Sequence, residues 1–166
     1  CNMTALPPVC VVIPARNAEK TIDETLASVC QCRGVTQIVV VDDASTDGTR
    51  MIALNTGDPR VEIVDGPGTG ISGALNAGFA AVRTAYVMRC DADDLVSADR
   101  LEWQAPLLEN DPDLVAVSAG FETMLDDGTP CGNLACAGET RDVTDILKSG
   151  RTVTHLGTWL VRTETL

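Results

Sequence analysis

The stretch Cys90-Asp91-Ala92-Asp93-Asp94 puts three carboxylates within four residues, directly after the apolar run Ala85-Tyr86-Val87-Met88. Like charges this close repel, and a strand end is a poor place to leave them unpaired. A divalent cation resolves the conflict. Mg²⁺ and Mn²⁺ prefer carboxylate oxygen, and are often held by one or two protein carboxylates plus substrate phosphates. In an extended segment Asp91 and Asp93 point to one side and Asp94 to the other. The competing reading is a solvated acidic turn that caps the next helix. Deciding between them requires the elements that position the turn.

Val9-Cys10-Val11-Val12-Ile13 is wholly apolar and β-branched, and ends at Pro14. It reads as a strand buried on both faces, as in a parallel sheet. Pro14-Ala15-Arg16-Asn17 is the loop beyond it. Thr21-x-x-Glu24 has the form of a capping box, with Ile22, Leu26 and Val29 as a helical stripe closed by Gly34. Gln37-Ile38-Val39-Val40-Val41 is a second buried strand that runs into Asp42-Asp43-Ala44-Ser45-Thr46-Asp47-Gly48-Thr49. Ser45, Thr46 and Asp47 are candidate caps for a helix carrying Met51, Ile52 and Leu54. Arg60-Val61-Glu62-Ile63-Val64 is a third strand, Gly66-Pro67-Gly68-Thr69-Gly70 a flexible loop. A helix through Ala74, Leu75, Ala77, Phe79, Ala80 and Val82 follows, its small residues permitting close packing on a sheet. Ala85 to Met88 is the fourth strand. Four strand–helix alternations are the pattern of an α/β layer with a parallel sheet and right-handed crossovers. Ligands of such sheets bind beyond the carboxyl ends of the strands. Arg16 and Asn17, Asp42 and Asp43, and Asp91, Asp93 and Asp94 all fall there, which favours the cation reading of the acidic turn.

Further on, Ser97 is a candidate cap for a helix that includes Leu101, Trp103, Leu107 and Leu108, and Pro106 predicts a kink or two segments. Leu114-Val115-Ala116-Val117 is a further strand. Phe121 to Leu125, Asp126-Asp127-Gly128-Thr129 and Pro130 onward predict a hairpin. Asp142 to Lys148 predicts a short helix with Gly150 at its C-terminal cap, and Thr158-Trp159-Leu160-Val161 a last strand. At 166 residues, 45% hydrophobic, the chain is one domain or a large part of one. Aromatics are only 3%, so the core rests on Val, Leu, Ile and Ala. A net charge of −12 argues against nucleic acid or an anionic membrane as the main partner. It leaves a phosphorylated substrate open, because a metal reverses the local field. The seven cysteines include no C-x2-C pair. Cys10 and Cys90 read as small buried hydrophobes, and Cys30 with Cys32, or Cys131 with Cys136, as the remaining candidates for pairing or metal. That pattern suits a reducing compartment. No run approaches the ~18 apolar residues of a membrane span, and no signal peptide is expected.

Three segments together resemble the family 2 glycosyltransferases of GT-A fold: Val12-Ile13-Pro14-Ala15-Arg16-Asn17, Val40-Val41-Asp42-Asp43-Ala44-Ser45-Thr46-Asp47-Gly48-Thr49 and Asp91-Ala92-Asp93-Asp94. Ala74-Leu75-Asn76-Ala77-Gly78 and Asp99-Arg100-Leu101-Glu102-x-Gln104 resemble a bacterial branch of that family. The resemblance implies a Rossmann-like, mainly parallel sheet flanked by helices, incomplete at the C-terminus. It implies one domain over 1–166, with a donor-binding part at about 9–118 and the start of an acceptor-side part at about 119–166. The implied reaction is metal-dependent, inverting transfer of a sugar from a nucleotide-diphospho-sugar, UDP-sugar above all, to an acceptor hydroxyl on a glycan, a lipid or another molecule.

On that resemblance Asp91 and Asp93 anchor Mn²⁺ or Mg²⁺, with Asp94 a further ligand or supporting group. Asp93 matches the last position of the D-x-D pattern, and Asp94 competes for its role. Asp42 or Asp43 accepts a hydrogen bond from the base, the alternative being turn and cap chemistry. Pro14, Ala15, Arg16 and Asn17 line the nucleotide pocket, together with Asp91 and Ala92. Many family members carry an aromatic at the Arg16 position, where a guanidinium can instead stack or reach phosphate. Asn76 approaches the nucleotide or sugar, or makes a packing contact. His155 reads as a satisfied polar contact, and Trp103 and Trp159 as core. Inverting members carry a carboxylate base after the strand resembling Thr158 to Arg162, and that base is expected after Leu166. Asp142 and Asp145 precede that strand and are poor substitutes. The expected location is cytoplasmic, at the inner face of a membrane in a full-length protein. Competing functions are a non-catalytic nucleotide-sugar binding module, a sugar nucleotidyltransferase and a phosphoacceptor domain. The second lacks its Gly-rich basic loop at Pro14 to Asn17; the third would put its acidic pair after the first strand.

Overall fold

The structure is a computed structural model that describes residues 6–125, 127–135, 142–151 and 154–166. Its elements run β1 (Val9–Ala15), α1 (Ile22–Gln31), β2 (Val35–Asp42), α2 (Thr49–Leu54), β3 (Val61–Asp65), α3 (Ile71–Ala80) and β4 (Tyr86–Arg89). Then come α4 (Arg100–Asn110), β5 (Ala116–Val117), β6 (Phe121–Met124), β7 (Pro130–Leu134), α5 (Thr144–Lys148) and β8 (Leu160–Arg162). Six strands form one sheet in the order β3-β2-β1-β4-β8-β5, and β6 pairs with β7 as a separate hairpin. β1 pairs parallel with both β2 and β4, and β2 with β3. The order reverses at β1: the chain moves outward to β2 and β3, then returns to β1's other side as β4. The crevice beyond such a reversal is where an open α/β sheet binds ligands.

Both faces of β1 and β2 are covered, which is why neither strand alternates with polar residues. On one face Val9, Val11, Ile13, Ile38 and Val40 pack with Ile22, Leu26 and Val29 of α1 and Leu101, Ala105 and Leu108 of α4. On the other, Cys10, Val12, Val39 and Val41 pack beneath α3. Gly78 lets α3 lie close: a Cβ there would sit 2.4 Å from Val12 Cγ1 and 2.8 Å from Val41 Cγ2.

Several local expectations are corrected. β1 continues through Pro14, because the missing N–H faces β4, whose last bond to β1 is Cys90 N–H to Val12 O. Thr21 makes no capping box; its hydroxyl donates to Ala18 O, which also accepts the N–H of Thr21 and Ile22. α2 starts at Thr49, and its first N–H is taken by Asp47 rather than by Ser45 or Thr46. Its Met51 and Leu54 are exposed, while Ile52 packs on the core. α4 runs unbroken past Pro106, whose side and whose lost partner Glu102 both face solvent. Ser97 does not cap it: its hydroxyl engages Asp99, and no side chain bonds the helix start. Trp103 is 71% exposed and Leu107 exposed. The buried stripe of α4 is Leu101, Gln104, Ala105 and Leu108, and positions 103 and 107 fall off it. Cys10, Cys30, Cys32, Cys90 and Cys131 are free thiols, so Cys30 and Cys32 do not pair; Cys136 lies outside the described residues. The last strand is β8, antiparallel to β4 and β5 and seated between them. No helix among the described residues is long and apolar enough to cross a membrane.

Candidate active site

The carboxyl ends of β1 and β4 open onto a cleft of about 570 Å³. One wall is the loop after β1, contributing Pro14, Arg16, Asn17, Ala18, Glu19, Lys20 and Thr21. The acidic turn contributes Asp91, Ala92 and Asp93, and Asp47 and Ile71 complete the lining. Cationic and acidic side chains thus line one crevice at the strand-order reversal. Ala15 is buried within β1, and Asp42, Asp43, Asp94 and Asn76 are not on the cleft wall. Asn76 sits on the exposed side of α3. Ala18, Glu19, Lys20, Thr21, Asp47 and Ile71 are cleft residues that motif reasoning missed. The first four follow Asn17 directly, so loop continuity alone could have found them.

The β1 loop is held by the loop after β2. Asn17, at a φ of 53°, donates its N–H to Ser45 Oγ (3.1 Å), and its Oδ1 accepts Thr46 N–H (2.8 Å). Ala18 N–H donates to Thr49 Oγ1 at 2.7 Å. Glu19 N–H donates to Asp47 Oδ2 (3.2 Å), and Glu19 Oε2 accepts Gly48 N–H (2.8 Å). Partial burial opposes ionisation of Asp47, but donation by the Thr49 hydroxyl and by the N–H groups of Thr49 and Glu19 outweighs it and holds the carboxyl below its usual range.

Asp42 and Asp43 face inward. Asp42 accepts Ser45 N–H (3.1 Å) and pairs with Arg50 (3.3 Å). Asp43, 3% exposed, accepts Gly68 N–H at 2.6 Å and Gly70 N–H at 3.0 Å, while its own N–H donates to Ala15 O. Gly66 is required beside it, since a Cβ there would meet Asp43 Oδ1 at 2.7 Å. Each carboxylate oxygen keeps a further lone pair, but in this arrangement the two aspartates seam β1, β2 and the 66–70 loop together.

The acidic stretch is a turn, not an extended segment: Asp94 N–H donates to Asp91 O at 3.1 Å. The three carboxylates have different surroundings. Asp91 is gripped by Arg89, Nε to Oδ1 at 2.7 Å and NH2 to Oδ2 at 2.8 Å. Asp93 is exposed to the cleft and has no hydrogen bond or ion pair among the described residues. Asp94 is half-buried near Gly157. Burial, and then the charges of Asp91 and Asp93, raise its pKa against the pull of His155 and Arg89. His155 Nδ1 accepts Gly157 N–H at 3.3 Å, and its ring lies 5.5 Å from that of Phe121. Burial pushes the Cys90 thiol up to about 12, so it is a neutral filler beneath the turn. Among the described residues no three His, Cys, Asp or Glu side chains gather as a ready-made ion cage. What the turn does offer is hard oxygen donors, Asp93 unpartnered among the described residues on the cleft wall and Asp94 half-buried behind it. That donor set fits Mg²⁺ or Mn²⁺ completed by phosphate oxygens and water.

Behind the turn, Gln104, 3% exposed, donates to Val117 O and Thr158 O, both at 2.8 Å. Arg100 donates to Gly157 O at 2.9 Å and to Gln104 Oε1 at 2.7 Å. This pair ties α4 to the turn preceding β8, the turn that begins at His155.

The Glycosyl transferase family 2 profile matches residues 10–130. The chain belongs to this family. It is 32% identical over 147 residues to the putative teichuronic acid biosynthesis glycosyltransferase TuaG of Bacillus subtilis (strain 168), covering 86% of this chain and 58% of that protein. It is 39% identical over 102 residues to the succinoglycan biosynthesis protein ExoO of Rhizobium meliloti (strain 1021), covering 58% of this chain and 28% of that protein. The chain thus spans less than two thirds of the length of these relatives. Among solved structures, the mannosyltransferase PcManGT of Pyrobaculum calidifontis, in complex with GDP-Man and Mn²⁺, superposes with a TM-score of 0.69 at 24% identity, over 97% of this chain and 46% of that one. Glucosyl-3-phosphoglycerate synthase of Mycobacterium tuberculosis, in complex with Mn²⁺, UDP and phosphoglyceric acid, gives 0.66 at 21% identity, over 96% and 57%. At these identities the likeness is one of fold, and the fold is GT-A: a mixed α/β layer with a mostly parallel central sheet.

Proposed function

We propose that this chain is the donor-binding part of an inverting, metal-dependent family 2 glycosyltransferase, which transfers a sugar from a nucleoside diphosphate, UDP in the first instance, to an acceptor hydroxyl. The observation that carries the reading is the cleft at the β1/β4 reversal, which a loop bearing Arg16 and Lys20 lines together with Asp91 and Asp93. In that reading Pro14, Arg16 and Asn17 form the nucleotide side, and the buried Ala15, Asp42 and Asp43 support that wall from behind rather than touch the nucleotide. Arg16 stacks or reaches phosphate. Asp93 is the leading protein ligand, Asp94 the second, and Asp91 contributes from a fixed position beside Ala92. A bound Mn²⁺ or Mg²⁺ stabilises the negative charge that grows on the departing diphosphate. Arg16 and Lys20 hold the same phosphates from the loop after β1. The donor-binding part is assigned to about 9–118, and the acceptor-side part begins at about 119.

The base that deprotonates the acceptor is assigned to no described residue. Glu19 and Asp47, the other carboxylates on the cleft wall, are committed to backbone N–H groups, and Asp142 accepts Thr144 N–H in a surface turn. Calorimetric titration of UDP with and without Mn²⁺ tests the reading. The expected result is binding that the metal strengthens at least tenfold, and that Asp93→Asn reduces to the metal-free level. UDP binding indifferent to metal overturns the site assignment; a preference for GDP overturns the choice of base alone.

A further inference from the structure

Arg89 is the last residue of β4 and pairs in register with Val12 of β1. Its guanidinium meets Asp91 side-on, with two parallel N–H···O bonds of 2.7 and 2.8 Å. Both side chains are largely withdrawn from water, 20% and 24% exposed. A planar guanidinium bonded in this way fixes the carboxylate plane as well as its position. The pair joins a strand inside the sheet to a turn on the cleft wall, so the orientation of Asp91 is inherited from β4 rather than from the turn. It also removes one of the three negative charges that would otherwise repel within Asp91-Ala92-Asp93-Asp94. One lone pair on each Asp91 oxygen stays free for a hydroxyl, a water or a cation. With both oxygens already engaged, chelation of an ion by Asp91 alone is disfavoured, which leaves Asp93 the first ligand.

We propose that Arg89 is a positioning residue of the donor cleft, acting on the nucleotide–metal pair through its bidentate grip on Asp91. The inference rests on the donor reading above. Supporting partners of metal-site carboxylates typically affect metal affinity about 10–100-fold, which sets the size of effect to expect.

The test is a double-mutant cycle with Arg89→Met, Arg89→Lys and Asp91→Asn, each alone and with Arg89→Met combined with Asp91→Asn. UDP is titrated in the presence of Mn²⁺, and Mn²⁺ alone by electron paramagnetic resonance, with thermal midpoints recorded for every variant. Arg89→Met should weaken UDP·Mn²⁺ binding about tenfold or more. Arg89→Lys should not restore it, because an ammonium cannot make two parallel bonds in one plane. In the Asp91→Asn background Arg89→Met should cost less than twofold further. If Arg89→Met does not fold, Arg89→Lys decides the matter, since it keeps the charge and the apolar stem. Full affinity in Arg89→Lys, or equal losses from Arg89→Met with and without Asp91, overturns the positioning role and leaves the donor reading intact. Absence of UDP·Mn²⁺ binding by the unmodified chain overturns both.

Discussion

Asn17 occupies a backbone conformation that L-residues other than Asn and Asp seldom adopt, at a φ of 53°. Its amide is the clamp between the loops after β1 and β2. Asn17→Gly relieves the conformation and loses the Oδ1 bond to Thr46 N–H, whereas Asn17→Ala loses that bond and keeps the strain. The second should therefore be the more destabilising, by roughly 1 kcal/mol, read as a difference in denaturation midpoint. Cys10 offers a second residue-level test. Burial raises its thiol to about 12, helped by the charge of Glu62 and opposed by Arg83. In the unfolded chain the same thiol ionises near ~8.5, so between that pH and about 12 the unfolded state binds fewer protons. Stability is complete below the lower value and falls as pH rises, by ~1.4 kcal/mol per pH unit from this group. Cys10→Ala should flatten that alkaline limb. At this scale the sequence was most legible where chemistry is local: Cys10 and Cys90 as buried hydrophobes, and Pro14, Arg16, Asn17, Asp91, Ala92 and Asp93 as cleft residues. It was least legible where a side chain's partner is remote in the chain. Nothing near Asp43 in sequence announces that its oxygens meet Gly68 and Gly70, 25 and 27 residues on.

Among the elements, α3 and α4 are seated by opposite means. α3 rests on the sheet through an absent side chain. Gly78→Ala gains about 1 kcal/mol of helix propensity but drives a methyl to within 2.4 Å of Val12 Cγ1. A net loss of roughly 1–2 kcal/mol should appear in chemical denaturation. α4 is seated by a buried amide. Gln104→Ala removes both bonds to Val117 O and Thr158 O, and should cost roughly 1–3 kcal/mol. Because those bonds tie down β5 and the turn before β8, amide exchange should accelerate at Val117 and Leu160 ahead of β1 and β2. The parallel strands could be read from composition because burial on both faces removes polar residues from both parities. β8 could not be placed that way. Three residues carry no periodicity, and its seat between β4 and β5 is secured by bonds between residues remote in sequence: Gln104 of α4 donates to Thr158 O just before β8, and Arg162 of β8 donates to Leu114 O and Leu108 O. Trp103 misled for a related reason: apolar content suggested core, but its angular position on α4 is set by the Leu101–Gln104–Ala105–Leu108 stripe.

For the molecule as a whole, the arrangement of charge matters more than its total. A net −12 repels anions at long range, yet the cleft brings Arg16 and Lys20 together with Asp91 and Asp93 at the point where strand order reverses. Added salt screens that repulsion beyond a Debye length of about 10 Å at 0.1 M. UDP·Mn²⁺ should therefore bind with weak salt dependence compared with metal-free UDP. The central claim is that Mn²⁺ and the nucleotide meet at the acidic turn, and paramagnetic broadening tests it directly. In an amide spectrum of the isotope-labelled chain with saturating UDP, substoichiometric Mn²⁺ should bleach residues 91–94 first and residues 16–20 next, leaving α5 and the β6–β7 hairpin sharp. Bleaching centred on any other acidic surface, or an equal loss over the whole spectrum, would contradict the account.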